Sequence, residues 1–192
     1  MKTFLTILFL TTSIAGFAKS YAGKIQFFTG RAVTTGQEYA YYALQFADQR
    51  VSLPSYLNLP ELYNSQATII VDGDLRPVFC TDMSKKCQTG IFSNITSLEI
   101  QSLKLPTMKT STYVGDLQAF NSVTTGQTKL LMVTAENKKI SLPKNIIKDI
   151  AKLYKTSAKL DIELTANLGN APCFADPCSL KVRQFSKITF KF

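Results

Sequence analysis

Residues 33–37 read Val-Thr-Thr-Gly-Gln, and residues 123–127 read Val-Thr-Thr-Gly-Gln again. A five-letter word seldom recurs by chance in a chain of 192 residues, so the echo prompts a search for a longer period. At a shift of about 90, Ser52-Leu53-Pro54 falls on Ser141-Leu142-Pro143, Leu62-Tyr63 on Leu153-Tyr154 and Ala67 on Ala158. Cys80 and Cys87 fall on Cys173 and Cys178, and Phe92-Ser93-x-Ile95-Thr96 falls on Phe185-Ser186-x-Ile188-Thr189. The offset drifts only between 89 and 93, as loop insertions and deletions would make it. An ordered series that includes both Cys pairs predicts an internal duplication. The halves are residues 23–106 and 107–192, joined at the Pro, Thr and Ser-containing stretch Leu105 to Ser111.

The first residues are of another kind. Met1 to Ala22 carries Lys2, then an apolar run from Phe4 to Ala18 broken only by small polar residues. That composition predicts a secretory signal peptide over residues 1–22. The run is shorter than the roughly 20 residues a membrane span needs, and no second such run follows, so no transmembrane segment is expected. Two cleavage sites fit, after Gly16-Phe17-Ala18 and after Ser20-Tyr21-Ala22, and the second is preferred. The expected compartment is a bacterial periplasm or the cell exterior. Four Cys in an exported chain read as two disulfides.

Each half then reads as strands around one helix. In the second, Lys129–Thr134 is an apolar run, Lys139–Leu142 a short strand and Leu160–Leu164 an alternating one. Between the last two, Ile146, Ile147, Ile150 and Tyr154 recur at helical spacing behind Pro143, which predicts a helix over 143–158. The first half repeats the order: a strand ending at the echoed word, Glu38–Phe46, a short strand at Arg50–Pro54, a helical segment broken by Pro60, and strands in 67–75 and 92–101. The order β-β-β-α-β-β, twice, resembles the oligonucleotide/oligosaccharide-binding (OB) fold, a five-stranded Greek-key barrel with its helix between strands three and four. The resemblance covers nearly all of residues 23–192 and rests on element order, not on a specific motif. It implies a mainly β chain of two tandem five-stranded barrels, with a small sandwich or one fused barrel as the alternatives. It also places Cys80 and Cys87, and Cys173 and Cys178, in the loop before the last strand of each half, where each pair would clip its own loop. Zinc lacks ligands there, because each loop brings two Cys and the chain contains no His.

Charge divides the halves. Residues 23–106 hold seven basic and seven acidic residues, whereas 107–192 hold thirteen basic and six acidic. Lys144, Lys148, Lys152, Lys155 and Lys159 recur every three or four residues along the expected helix and would form a basic stripe. With Lys181, Arg183 and Lys187 on the last strands, they are the candidate contacts for a polyanion: nucleic acid, an acidic glycan, or lipid phosphate at a membrane surface. In the first half, alternation leaves Tyr39 and Tyr41 on the face opposite Tyr42, Leu44 and Phe46, as candidates for stacking on a ligand.

Without His, the commonest general base and the Ser-His and Cys-His pairings are excluded. The remaining carboxylates, Asp72, Asp74, Asp161 and Glu163, show no catalytic spacing. The expectation is a non-enzymatic binding protein with no cofactor or metal, or alternatively a secreted subunit whose partner is another protein.

Overall fold

The computed structural model describes residues 19–32, 35–78, 89–104, 106–122, 125–170 and 177–192. The chain is mainly β. The first half contains β1 (Lys19–Arg31), β2 (Glu38–Phe46), β3 (Gln49–Ser52), α1 (Leu59–Asn64), β4 (Thr68–Pro77) and β5 (Gly90–Gln101). The second contains β6 (Ser111–Asn121), β7 (Thr128–Thr134), β8 (Lys139–Ser141), α2 (Ile150–Thr156), β9 (Asp161–Asn170) and β10 (Leu180–Lys191). The expected element order therefore appears twice.

The echoed word makes the same turn in both halves. Gly36 and Gly126 sit at φ +68° and +65°, where an L side chain is strained. Ala32 N donates to Gln37 O and Gly36 N to Ala32 O, and Ser122 N to Gln127 O and Gly126 N to Ser122 O follow the same pattern. Thr35 and Thr125 each accept from the amide two residues on.

In each half the first strand pairs antiparallel with the second and the fourth, the fourth with the fifth, and the third lies parallel to the fifth. Two tandem five-stranded barrels were the expectation, and they do not appear as separate units: all ten strands belong to one hydrogen-bonded sheet, because β5 and β10 pair antiparallel across the halves. The alternation that predicted strands is the packing pattern. Ile69 and Val71 on β4, Ile162 and Leu164 on β9, Leu98 and Ile100 on β5 and Ile188 and Phe190 on β10 are fully buried in one apolar cluster that spans both halves.

The contacts between the halves are reciprocal. Val71 faces Leu98 as Leu164 faces Ile188, and Ile69 faces Ile100 as Ile162 faces Phe190, so Leu98 matches Ile188 and Ile100 matches Phe190. At the junction Leu98 pairs with Phe190 and Ile100 with Ile188, each pair the image of the other. A bridge between Leu57 and Ile147 is flanked the same way: Asn58 N donates to Ile146 O at 2.8 Å and Lys148 N to Tyr56 O at 2.6 Å. This is the self-complementary contact of a local two-fold axis. The linker is tied down as well. Gln184 Oε1 accepts from Thr107 N and Met108 N, and Asn167 Nδ2 donates to Lys109 O.

The strand ladders correct two sequence readings. Matching Phe92-Ser93-x-Ile95-Thr96 with Phe185-Ser186-x-Ile188-Thr189 slips the last strands by three residues relative to the ladder, which puts Phe92 on Val182 and Leu98 on Ile188. The expected helix over 143–158 is also reduced to Ile150–Thr156. Ile146 N and Ile147 N both turn back to Pro143 O, Ile147 is held in its bridge to Leu57, and the helix starts only after Asp149, whose carboxylate accepts from Lys152 N.

Candidate functional site

The hairpin of β1 and β2 is longer than its counterpart. Gly23 lies opposite Ile69 as Gly115 lies opposite Ile162, and at each a Cβ would collide with a carbonyl oxygen of the neighbouring strand, Gln45 or Val133. From these matched glycines β1 continues eight residues to Arg31, whereas β6 continues six to Asn121. Two residues are added to each strand, and because side chains alternate with period two the added length keeps its faces. Among the described residues, β1 beyond Lys24 is bonded only to β2.

This extension carries aromatic residues. On the face that continues the core, Phe27 pairs with Tyr42 with ring centroids 4.7 Å apart, and Tyr42 lies 5.6 Å from Tyr63 of α1. Phe27 is 44% exposed. These rings and the Leu53–Pro60 segment enclose a groove of about 580 Å³ walled by Leu53, Pro54, Leu59 and Pro60, with Lys148 of the second half at its edge. By the strand ladders, the positions of Phe27 and Tyr42 hold Ala119 and Leu130 in the second half, so the aromatic groove belongs to one half while its cation comes from the other.

On the opposite face of the hairpin the rings pack on one another. Tyr41, a candidate for stacking on ligand, is 3% exposed and lies against Phe28 at 5.4 Å, over which the Arg50 guanidinium sits at 4.5 Å. It is a packing residue and presents no face to a ligand. Tyr39 is half-buried, 6.1 Å from Tyr41, and its ring rests on Gly30, where a Cβ would collide with it. Alternation assigned the two faces of β2 correctly. It missed that the core-side face, with Phe27 and Tyr42, outruns the core; the extra length of the first hairpin relative to the second was the available signal.

The lysines do not form one stripe. Lys144 is in the turn after Pro143, Lys148 follows the bridge to Leu57, Lys152 and Lys155 are on α2, and Lys159 lies past its end. Lys152 pairs with Asp149 at 3.4 Å and Lys159 with Asp161 at 3.5 Å. Lys144, Lys148 and Lys155 are exposed and make no ion pair among the described residues. Lys181 and Arg183 are exposed on β10, with the Arg183 side chain laid over Gly169.

Lys187 is engaged within the protein. Its Nζ lies 2.9 Å from Glu163 Oε1 and 3.8 Å from Glu99 Oε2, with Lys191 3.7 Å from the other Glu163 oxygen. The hydrogen bond from Lys187 holds the Glu163 carboxyl below the usual carboxylate range, and the same bond raises Lys187. Glu99 also accepts from Thr189 Oγ1 at 3.2 Å, at the centre of the reciprocal junction. Of the other carboxylates, Asp74 accepts from Asn94 Nδ2 and Asp161 pairs with Lys159, while Asp72 takes part through its backbone carbonyl, which accepts from Thr96 Oγ1.

Cys80, Cys87 and Cys173 lie outside the described residues; Cys178 is not a free thiol. Among the described residues no group of three or more His, Cys, Asp and Glu gathers as metal ligands, and no helix is long and apolar enough to cross a membrane. No protein-family model, no curated protein and no solved structure matches the chain.

Proposed function

We propose that this is an exported, non-enzymatic binding protein made of two duplicated OB-like barrels with disulfide-clipped loops, and that its ligand lies in the groove beside Phe27 and Tyr42. The ladder order supports the barrel reading. In the first half it runs β1 to β2, β3, β5, β4 and back to β1, with β3 and β5 parallel, and the second half repeats it.

The groove carries the functional reading, because an exposed Phe27 packed on the half-buried Tyr42, beside a lysine that makes no ion pair among the described residues, suits an anionic chain with flat faces to stack. Single-stranded nucleic acid and acidic glycans have that chemistry. Stacking on an aromatic contributes about 1–3 kcal/mol per base, so Phe27→Ala is expected to weaken binding by roughly 5- to 150-fold. Lys148→Glu should weaken it further and reduce its salt dependence. Fluorescence anisotropy with a labelled single-stranded oligonucleotide and an acidic oligosaccharide, each at two salt concentrations, tests this. Binding indifferent to both substitutions refutes the groove.

A second reading, a protein partner, is favoured by the edge of β1 beyond Lys24, which pairs with no second strand among the described residues and whose backbone groups can accept an added strand. Binding of that kind would resist salt.

A further inference from the structure

The export reading leaves two cuts open, after Ala18 and after Ala22, and the fold distinguishes them. Lys19 to Lys24 form six ladder pairs with Gly73 to Thr68 of β4. Tyr21 is part of this ladder, opposite Val71, and its ring lies 5.2 Å from Phe46 and 5.5 Å from Phe92. A cut after Ala22 would leave only Gly23 and Lys24 of the six and remove the Tyr21 ring.

The second half gives an internal reference, since its first strand is preceded by linker and no leader is cut from it. There Ser111 to Asp116 form six ladder pairs with Ala166 to Asp161. With Gly23 matched to Gly115, Lys19 matches Ser111 and Tyr21 matches Tyr113, which lies opposite Leu164 as Tyr21 lies opposite Val71. The two strands thus begin at the same structural position. The sequence follows the same alignment: Ser20-Tyr21-Ala22-Gly23 stands over Thr112-Tyr113-Val114-Gly115, with Gln26 over Gln118 and Phe28 over Phe120. Residues 20–22 are therefore part of the repeat and not of the leader.

We propose that the leader is removed between Ala18 and Lys19, so that the mature chain begins with the whole of β1. Gly16 and Ala18 supply the small residues that a signal peptidase requires. This rests on the export reading, and the test separates the two. The full chain is produced in a secreting bacterial host, and the protein outside the cytoplasm is read by intact mass and N-terminal sequencing. A chain starting at Lys19 is expected, with Ala22→Leu leaving the start unchanged and Ala18→Leu blocking or displacing it. A start at Gly23 overturns the proposed cut and leaves export standing. A chain that stays uncut in the cytoplasm overturns the export reading and the cut with it. As a second measurement, proteins made to begin at Lys19 and at Gly23 are compared by thermal unfolding. The shorter one should melt at a lower temperature, and equal midpoints would remove the structural ground for the proposal.

Discussion

Lys187 joins three strands at the centre of the molecule, and replacing it with Met tests whether it is structural or a ligand contact. Its side chain is 33% exposed, and those of its partners Glu163 and Glu99 are 28% and 20% exposed. A hydrogen bond to a charged group contributes about 1.5–3 kcal/mol when well shielded, whereas fully exposed ion pairs contribute about 0.2–1 kcal/mol. With a third of the lysine in solvent and Lys191 remaining beside Glu163, Lys187→Met should cost about 1–2 kcal/mol. The assay is urea unfolding of Lys187→Met, Glu163→Gln and the double variant, with an expected coupling of about 1 kcal/mol. The pH dependence has a definite sign. Glu163 is held below its unfolded value, so its contribution is present above about pH 4.3 and lost as pH falls through the lowered value. Lys187 is raised, so its contribution is complete below about pH 10.4 and lost as pH rises through the raised value. The difference between wild type and variant should be flat around neutrality and shrink in acid, while binding in the groove is unchanged. A coupling below about 0.3 kcal/mol, within the additivity error of such cycles, or a loss of ligand with no loss of stability, would refute the structural assignment.

Gly115→Ala should destabilise the protein by about 1–3 kcal/mol, the cost typical of overpacking, because the new methyl meets the Val133 carbonyl and not a side chain that can move aside; thermal unfolding reads it. Gly23→Ala, facing the Gln45 carbonyl, should lower the midpoint in the same direction. Burial of Tyr56, 4% exposed, raises its phenol pKa. The unfolded phenol ionises first, so stability should fall as pH rises above about 10. That slope should be shallower in Tyr56→Phe, and an unchanged slope would contradict the assignment.

Some of this architecture was legible in the sequence and some was not, for reasons that differ by element. β2 was read end to end from Glu38 to Phe46 because its alternation matches a half-buried strand. The repeated turn was legible because a backbone with positive φ keeps its glycine. The first residues of β1 are hidden because residues 20–22 resemble the small-residue end of a leader, which obscures the like ladder positions of Tyr21 and Tyr113. In the last strands, a local match of similar letters outweighed the ladder, which depends on bulges between Asp72 and Asp74 and within β10 that no spacing reveals. The lysine stripe failed where a tertiary contact, the Leu57–Ile147 bridge, overrode a helical pattern that is locally sound. The groove needed both halves at once: Phe27 and Tyr42 lie on the first, and Lys148 comes from the second.

That last dependence connects the fold to the function. A self-complementary contact between like units is what a symmetric dimer makes, and here the Leu98–Phe190 and Ile100–Ile188 pairs make it within one chain. In a true dimer every groove would occur twice, and a change that improved one copy would be imposed on the other. Covalent fusion removes that constraint. The first half could lengthen its hairpin by two residues per strand and keep every side chain on its face, while the second half kept a short hairpin with Leu130 where Tyr42 stands. The second half could also gather the positive charge, and through the reciprocal bridge it delivers Lys148 to the first half's groove. The groove is thus a product of divergence across a symmetric junction. Exchanging the two hairpins, so that residues 25–44 carry the shorter sequence of 117–132 and the reverse, should move the aromatic pair to the second half. The groove is lined by Asn58 as well as by Lys148, and these two residues are each other's images, so the relocated groove should again meet Lys148 and keep both its stacking and its salt dependence. A relocated groove that bound without salt dependence would show that the cation of the site is not Lys148.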